Sequence, residues 1–291
     1  MPTVTIFTPM YNRGYLIERL YRALQRQTVQ DFEWVVVNDG SLDDTHERME
    51  DILACKNRAF EILYIHTQNG GKHRAINRGV KKAKGEWFFI VDSDDYPVDN
   101  AVEMILAWVK DLPAHFAGVG FSCLKPQGGI IGTTFKGDYL DAFSTERVKY
   151  GITGDKKEVW RTALMRQYPF PAFEGENFLT EVTVWFAFSQ AGHPVRWVNQ
   201  GLAVCEYLKD GLSAKALELS KKNFNGYTYA VKLSLSCYLP VFERMKIVGN
   251  YIYTGKLIGK TISGMRQDVH AGRVESIVSY LLCKGKKWIR K

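Results

Sequence analysis

The chain has 291 residues, of which 46% are apolar, 24% charged and 13% aromatic, enough for one large α/β domain with an appendage or for two small domains, and too apolar for a disordered chain. Its five cysteines, Cys55, Cys123, Cys205, Cys237 and Cys283, are scattered without a CxxC pair, which argues against a disulfide framework or a zinc knuckle and for a reducing compartment. The net charge of +8 is unevenly placed: residues 215–291 hold 15 Lys+Arg against 4 Asp+Glu, a net of +11, while residues 1–214 carry a net of −3. A basic tail of this kind favours a polyanion, either nucleic acid or an anionic membrane surface. The start of the chain lacks a basic leader with an apolar core, and no apolar run reaches the roughly 18 to 20 residues that span a bilayer. A cytoplasmic chain is therefore expected, with peripheral attachment to the inner face of the cell membrane left open.

In chain order, residues 4–8 read as a strand. Residues 15–27 read as an amphipathic helix, with Leu16, Leu20 and Leu24 at four-residue spacing. The continuous apolar run FEWVVVN at 32–38 is a buried strand ending in Asp-Gly-Ser. A helix at 45–54, a strand at 60–65, a helix at 72–83, the strand WFFIV at 87–91 and a helix at 101–112 follow. Strands alternating with helices of about ten residues predict a mixed, mostly parallel sheet flanked by helices, a Rossmann-like α/β fold. Beyond residue 118, strands are expected at 119–124 and 130–134, a helix at 180–190, and one or two strands over 195–206. From residue 215 the pattern becomes helical, basic and aromatic. The expected division is a domain at 1–214 and a basic helical extension at 215–291.

Sheets of this kind bind ligands at the carboxyl ends of their strands, and the polar clusters fall at those ends. Thr8-Pro9-Met10-Tyr11-Asn12-Arg13 follows the first strand, Asp39-Gly40-Ser41 the second, Asn69-Gly70-Gly71-Lys72 the third and Asp92-Ser93-Asp94-Asp95 the fourth. Carboxylates clustered at a strand end suit a hard divalent cation, which could bridge a diphosphate; a solvated helix-capping turn is the plainer alternative. Asp39 is either an acceptor for a base or ribose or an Asx turn capping the next helix. Tyr11, Asn12 and Arg13 offer a ring face, an amide and a guanidinium, or else a helix cap and a surface aromatic. The 69–73 loop suits phosphate or base contact, or is an ordinary glycine turn. Carboxylates available as a general base for an attacking hydroxyl are Asp155, Glu174, Glu176 and Glu181. Glu181 opens a predicted helix, where a carboxylate also interacts favourably with the helix dipole.

Taken together, TIFTPMYNR at 5–13, VVVNDGSLDDT at 35–45, NGGKHRAINRGV at 69–80 and GEWFFIVDSDD at 85–95 resemble the family 2 glycosyltransferases with a GT-A fold. GDKKEVWRT at 154–162, EGENFLTEV at 174–182 and CEYLKDGLSA at 205–214 resemble a bacterial branch of that family concerned with polysaccharide and cell-envelope synthesis. The resemblance implies transfer of a sugar from a nucleotide diphosphate donor, a uridine nucleotide foremost, to a hydroxyl of a saccharide or lipid-linked saccharide. It places Thr8, Pro9, Tyr11 and Arg13 in the nucleotide pocket, Asp39 at the uracil edge, and Asn69 and Lys72 near the nucleotide or its phosphates. It further places Asp92 and Ser93 at the ribose and sugar-phosphate region and assigns Asp94 to Mn2+ or Mg2+. The family's catalytic base lies in a Glu-Asp pair opening the later helix. The matching pair here is Glu181-Val182, which leaves Glu181 as the base of a single inverting displacement.

Rival functions account for fewer of these features. A sugar-phosphate nucleotidyltransferase calls for a Gly-rich phosphate loop near the first strand, where this chain has Thr-Pro-Met-Tyr-Asn-Arg. A dinucleotide-dependent dehydrogenase calls for GxGxxG there. A basic-tailed nucleic-acid-binding protein is disfavoured because the carboxylates at 92–95 repel phosphate unless a metal is present. Residues 278–291 (VSYLLCKGKKWIRK) mix apolar, aromatic and cationic side chains as interfacial segments do, and would equally serve as a terminal helix packed on the domain.

Overall fold

Apolar runs set the centre of the sheet. β1 (Val4–Met10), β2 (Phe32–Asn38) and β4 (Trp87–Ile90) are buried along nearly their whole length, as strands covered on both faces must be. β3 (Glu61–His66) completes a parallel set in the order β3-β2-β1-β4. Val4 pairs with both Phe32 and Trp87, and Asn38 pairs with both Met10 and His66, so the carboxyl ends of these strands share one edge. β8 (Lys156–Arg161) runs antiparallel beside β4 with Val159 opposite Phe89, which brings its first residues, Lys156 and Lys157, to that same edge. β6 (Gly118–Leu124), β9 (Val195–Val204) and β5 (Tyr96–Pro97) extend the sheet beyond β8, and β7 (Tyr139–Ala142) pairs with β9.

Helices cover both faces. α1 (Gly14–Gln25), α2 (Thr45–Ala54) and α4 (Ala101–Val109) bury Ile17, Leu20, Leu24, Met49, Ile52, Val102 and Ile105 against Ile6, Trp34, Val36 and Phe89. α3 (Lys72–Lys82) approaches the sheet at Gly79, where a Cβ would stand 2.2 Å from the Phe7 ring. α5 (Thr162–Gln167) follows β8, and α6 (Val182–Gln190) precedes β9.

The computed structural model describes residues 1–56, 58–208, 211–212, 215–237 and 239–285. The chain groups into two units: Met1–Phe170 with Ala187–Leu208, and Pro171–Phe186 with Lys209–Lys291. Residues 171–186 thus group with the C-terminal helices, whereas the sequence suggested a single division after residue 214. The second unit holds α7 (Ala216–Lys222), α8 (Phe224–Leu235), α9 (Val241–Leu257), α10 (Ile262–Asp268) and α11 (Arg273–Lys284). Its core gathers Phe224, Val231, Val248, Tyr251, Ile252 and Met265, with Phe224 and Tyr251 stacked at 5.2 Å.

The alternating strands and helices of the first 112 residues are those expected from the sequence, except that the short β5 (Tyr96–Pro97) was not among them. The strand expected at 130–134 is absent: only the isolated bridges Leu124–Ile130 and Thr133–Thr153 form there, because Gly128, Gly129 and Gly132 all take positive φ and break an extended run. β7, β8 and α5 had no counterpart in the sequence reading. Among the described residues no helix is long and apolar enough to cross a membrane. Residues 209–210 and 213–214 of the CEYLKDGLSA stretch, and residues 286–291 of the basic terminus, lie outside the described residues.

Candidate active site at the carboxyl ends of the parallel strands

The four loops at this edge are tied into a closed circuit. After β1, Asn12 has a φ of +53°, a left-handed turn that asparagine tolerates better than most residues. Its Oδ1 accepts the Leu42 N–H at 2.7 Å, and its own N–H donates to Ser41 Oγ at 2.9 Å. The N–H groups of Arg13 and Gly14 donate to Thr45 Oγ1 and Asp43 Oδ2 at 3.2 and 3.3 Å. The first loop is thereby laced to the second, and Tyr11 stays 46% exposed.

Asp39, directly after β2, is 3% exposed. Its carboxylate accepts the N–H groups of Gly70 at 3.0 Å and Gly71 at 2.6 Å, with the Asn69 amide at 3.3 Å and Arg78 at 3.4 Å. Gly40 makes this approach feasible: its φ is +76°, and a Cβ there would stand 2.6 Å from the Asn69 nitrogen. Burial pushes the Asp39 carboxyl up, while the Gly71 and Gly70 N–H groups and then Arg78 and Arg74 pull against that rise. The carboxylate thus anchors the loop after β3 and caps the start of α3 from a different strand.

Lys72, the first residue of α3, continues the circuit with Nζ 2.7 Å from Asp92 Oδ1. Burial alone would raise the Asp92 carboxyl, but Lys72 and Lys157 outweigh it and hold it below the usual carboxylate range. Asp95 pairs with Lys157 of β8, each side chain 8% exposed, and accepts the Glu206 N–H at 3.2 Å. Burial draws the Lys157 ammonium down, and Asp95 more than offsets this.

Asp94, between those two paired acids, has no ion pair among the described residues. Burial, and then the charges of Asp92 and Asp95, push its carboxyl up to about 6. Its main-chain carbonyl accepts Arg19 Nη2 at 2.7 Å, while Arg19 Nη1 lies 2.8 Å from Glu206 Oε1. Arg19 belongs to α1, the helix fed by the loop after β1, so the circuit closes. A backbone hydrogen bond and the Lys72 charge oppose the rise at Asp94 without cancelling it, and a carboxylate without an ion pair beside two paired ones could serve as a ligand to a hard cation. Among the described residues no group of three or more His, Cys, Asp or Glu side chains is placed to hold a metal ion.

The remaining sequence candidates are placed differently. Thr8 is fully buried and its hydroxyl accepts the Trp34 indole N–H at 3.0 Å, which commits that side chain to the core. Pro9 pairs with Val37 along β1, and Ser93 is buried within the acidic turn. Glu176 is a helix cap: it accepts the Asn225 and Gly226 N–H groups at 2.7 and 2.8 Å at the start of α8. Asp155 accepts the Tyr207 hydroxyl. Glu181 belongs to the second unit, directly before α6, where its main-chain carbonyl accepts the Val184 N–H at 3.0 Å. The residues that sequence reasoning missed are Arg19, Lys157 and Glu206. Only Lys157 and Glu206 fell inside stretches singled out beforehand, and nothing in α1 marked Arg19. A cavity of about 420 Å³ lined by Thr3, Trp87, Leu106 and Arg161 opens at the opposite end of β4, away from all these groups.

Residues 5–136 match the family described as Glycosyl transferase family 2. The matched segment contains every loop of the circuit, while Lys157, Glu181 and Glu206 come from outside it. The GalNAc(5)-diNAcBac-PP-undecaprenol beta-1,3-glucosyltransferase of Campylobacter jejuni is 27% identical over 191 residues, 64% of this chain and 59% of the relative. The chain spans 34%, 36% and 59% of the length of three curated glycosyltransferases that it matches. The crystal structure of S. aureus TarS 1–349 in complex with UDP-GlcNAc superposes with a TM-score of 0.67 at 17% identity, over 100% of this chain and 93% of that one. Mannosyltransferase PcManGT from Pyrobaculum calidifontis, in complex with GDP-Man and Mn2+, gives 0.59 at 15% identity over 98% and 88%. At such identities the likeness is one of fold, and the fold is the GT-A type that the sequence led us to expect.

Proposed function

We propose that the protein transfers a sugar from a uridine diphosphate donor to a hydroxyl of a saccharide acceptor, using Mn2+ or Mg2+ held by Asp94. The observation that carries this reading is the state of the acidic turn. Asp92 and Asp95 are paired with Lys72 and Lys157, and Asp94 between them is a partly buried carboxylate without an ion pair among the described residues, its pKa raised to about 6. The family match of residues 5–136 supports it.

Tyr11 would lay its exposed ring against the base, with Arg13 and Pro9 beside it. Asp39 would hold the 69–71 loop so that Asn69 and the start of α3 meet the nucleotide, its carboxylate at the uracil edge. Lys72, steadied by Asp92, would present a cation and a helix N-terminus to the diphosphate, and Ser93 would line the floor. A bound divalent cation supplies a Lewis acid for the charge developing on the leaving diphosphate. Glu181 would take the proton from the acceptor hydroxyl, which attacks the anomeric carbon opposite the leaving group and inverts it in a single displacement. The relative whose name includes a PP-undecaprenol acceptor favours a lipid-linked saccharide, and with it work at the cytoplasmic face of a membrane.

The test is a donor screen that follows nucleoside diphosphate release from several nucleotide sugars, with Mn2+ or Mg2+ and then with chelator. Release confined to uridine donors and abolished by chelator is expected. Undiminished release in chelator rejects the metal role, and no release from any nucleotide sugar rejects sugar transfer.

A further inference from the structure

α11 turns its apolar side outward. Ser276, Ser279 and Cys283 are fully buried against α9. A Cβ at Gly249 of α9 would stand 2.5 Å from the Ser279 carbonyl oxygen, and Cys283 Sγ donates to Asn250 Oδ1 at 3.2 Å. Small residues therefore bring the two backbones close. On the opposite side Val274, Ile277, Val278, Leu281 and Leu282 follow the i, i+3, i+4, i+7, i+8 spacing by which a helix normally buries its core face. All five are exposed, Val274 at 75% and Leu281 at 60%. Arg244 of α9 binds Glu275 at 2.6 Å, which holds the start of α9 against the first turn of α11. At that end Val241 and Phe242 are exposed as well. An apolar surface of this extent on a folded unit marks an interaction face.

Charge indicates what covers it. Arg273 and Lys284 stand exposed at the two ends of the stripe, and Glu275, the one acid on α11, is taken up by Arg244. The sequence continues past Gly285 with Lys286, Lys287, Arg290 and Lys291, and residues 215–291 carry a net of +11. A second copy of the chain would bring like charge against like. We infer that this face of α11 lies in the interfacial layer of an anionic lipid bilayer. The Val-Ile-Val-Leu-Leu stripe enters the acyl boundary while the flanking cations meet phosphate headgroups, the arrangement of a monotopic amphipathic helix. With 12 residues, α11 is too short to span a bilayer. The inference deepens the membrane-side part of the proposed function, and its test does not depend on glycosyl transfer.

The experiment is flotation of the full chain with vesicles of phosphatidylcholine alone or of equal parts phosphatidylcholine and phosphatidylglycerol. The wild type is compared with an Ile277→Glu/Leu281→Glu variant and an Arg273→Gln/Lys284→Gln variant. Far-UV circular dichroism and a thermal melt check each fold, and uridine diphosphate release in solution is measured in parallel. Expected are flotation with the anionic vesicles only, at least a roughly tenfold lower bound fraction for the acidic variant, a smaller loss for the Gln variant, and unaltered diphosphate release throughout. Wild type left at the bottom of both gradients overturns the inference, as does an acidic variant that floats like wild type. A wild-type dimer in sedimentation velocity that the acidic variant dissolves, with vesicle binding untouched, overturns it in favour of a second copy. Absent diphosphate release with intact flotation counts against sugar transfer and leaves the membrane face standing.

Discussion

The Arg19 guanidinium donates to the main-chain carbonyl of Asp94 at 2.7 Å while its other nitrogen lies 2.8 Å from Glu206. Arg19 also stacks over the Tyr96 ring at 4.8 Å, so three groups fix one planar side chain, and that side chain fixes the backbone of the acidic turn. Arg19→Lys retains the charge and loses the fork geometry. We expect turnover to fall about tenfold, with half-saturation by Mn2+ moving upward by a similar factor. Activity titrated with Mn2+ checks this, and an unchanged metal midpoint would restrict Arg19 to a packing role.

Asp94→Asn removes the carboxylate that lacks an ion pair among the described residues and nearly preserves its shape. Turnover should fall by about 1000-fold. Stability should stay level or rise slightly, because the repulsion from Asp92 and Asp95 that pushes Asp94 up to about 6 is relieved. Steady-state kinetics paired with a urea melt reads both quantities.

Lys157 and Asp95 form an ion pair with each side chain 8% exposed. Lys157→Met strands Asp95 and should destabilise the protein by about 3–5 kcal/mol. Lys157→Met combined with Asp95→Leu should recover most of that loss, since a matched apolar pair leaves no buried charge. Equilibrium unfolding of the two variants separates stranded charge from lost volume.

His73 is 2% exposed, and its Nδ1 has no hydrogen-bond partner among the described residues. Burial, helped by Arg74, lowers its pKa from 6.5 to about 4. The unfolded chain therefore takes up a proton near pH 6.5 that the folded protein declines until about pH 4. Stability linked to His73 is complete above pH 6.5 and is lost as pH falls towards 4, by about 3 kcal/mol in the limit. His73→Gln should flatten this part of the profile, as read by urea unfolding at a series of pH values.

Glu181→Gln should lower the turnover number by at least about 100-fold while leaving the KM for the donor within about twofold. Wild-type turnover in that variant would move the proton acceptor elsewhere.

The four strands of the circuit were legible because each is an apolar run closed by Asp, Asn or Gly, a contrast that needs only neighbouring residues. β8 was not. Its Lys156-Lys157-Glu158 start reads as a surface segment, and its burial depends on Asp95, 62 residues earlier, accepting the Lys157 ammonium. Asp39 was legible as a polar strand end, but its hold on the 69–71 loop depends on Gly70 and Gly71 arriving from another loop. Glu176 read as a spare carboxylate until the start of α8, 49 residues on, was brought to it. Side chains whose partners lie close in sequence were read well, whereas those defined by a distant partner were visible only in the fold.

The position of β8 bears on how much chain an intact acidic turn requires. A fragment ending at residue 136, where the family match stops, would have every carboxylate of that turn and none of its outside supports. Asp95 would face a dry interior without Lys157, Arg19 would lose Glu206, and the edge of β4 that pairs with Phe88–Phe89's partners on β8 would lie bare. Such a truncation should yield a sticky, poorly folded product, so exchanging the later part of the chain for that of another protein calls for a junction placed after Glu206.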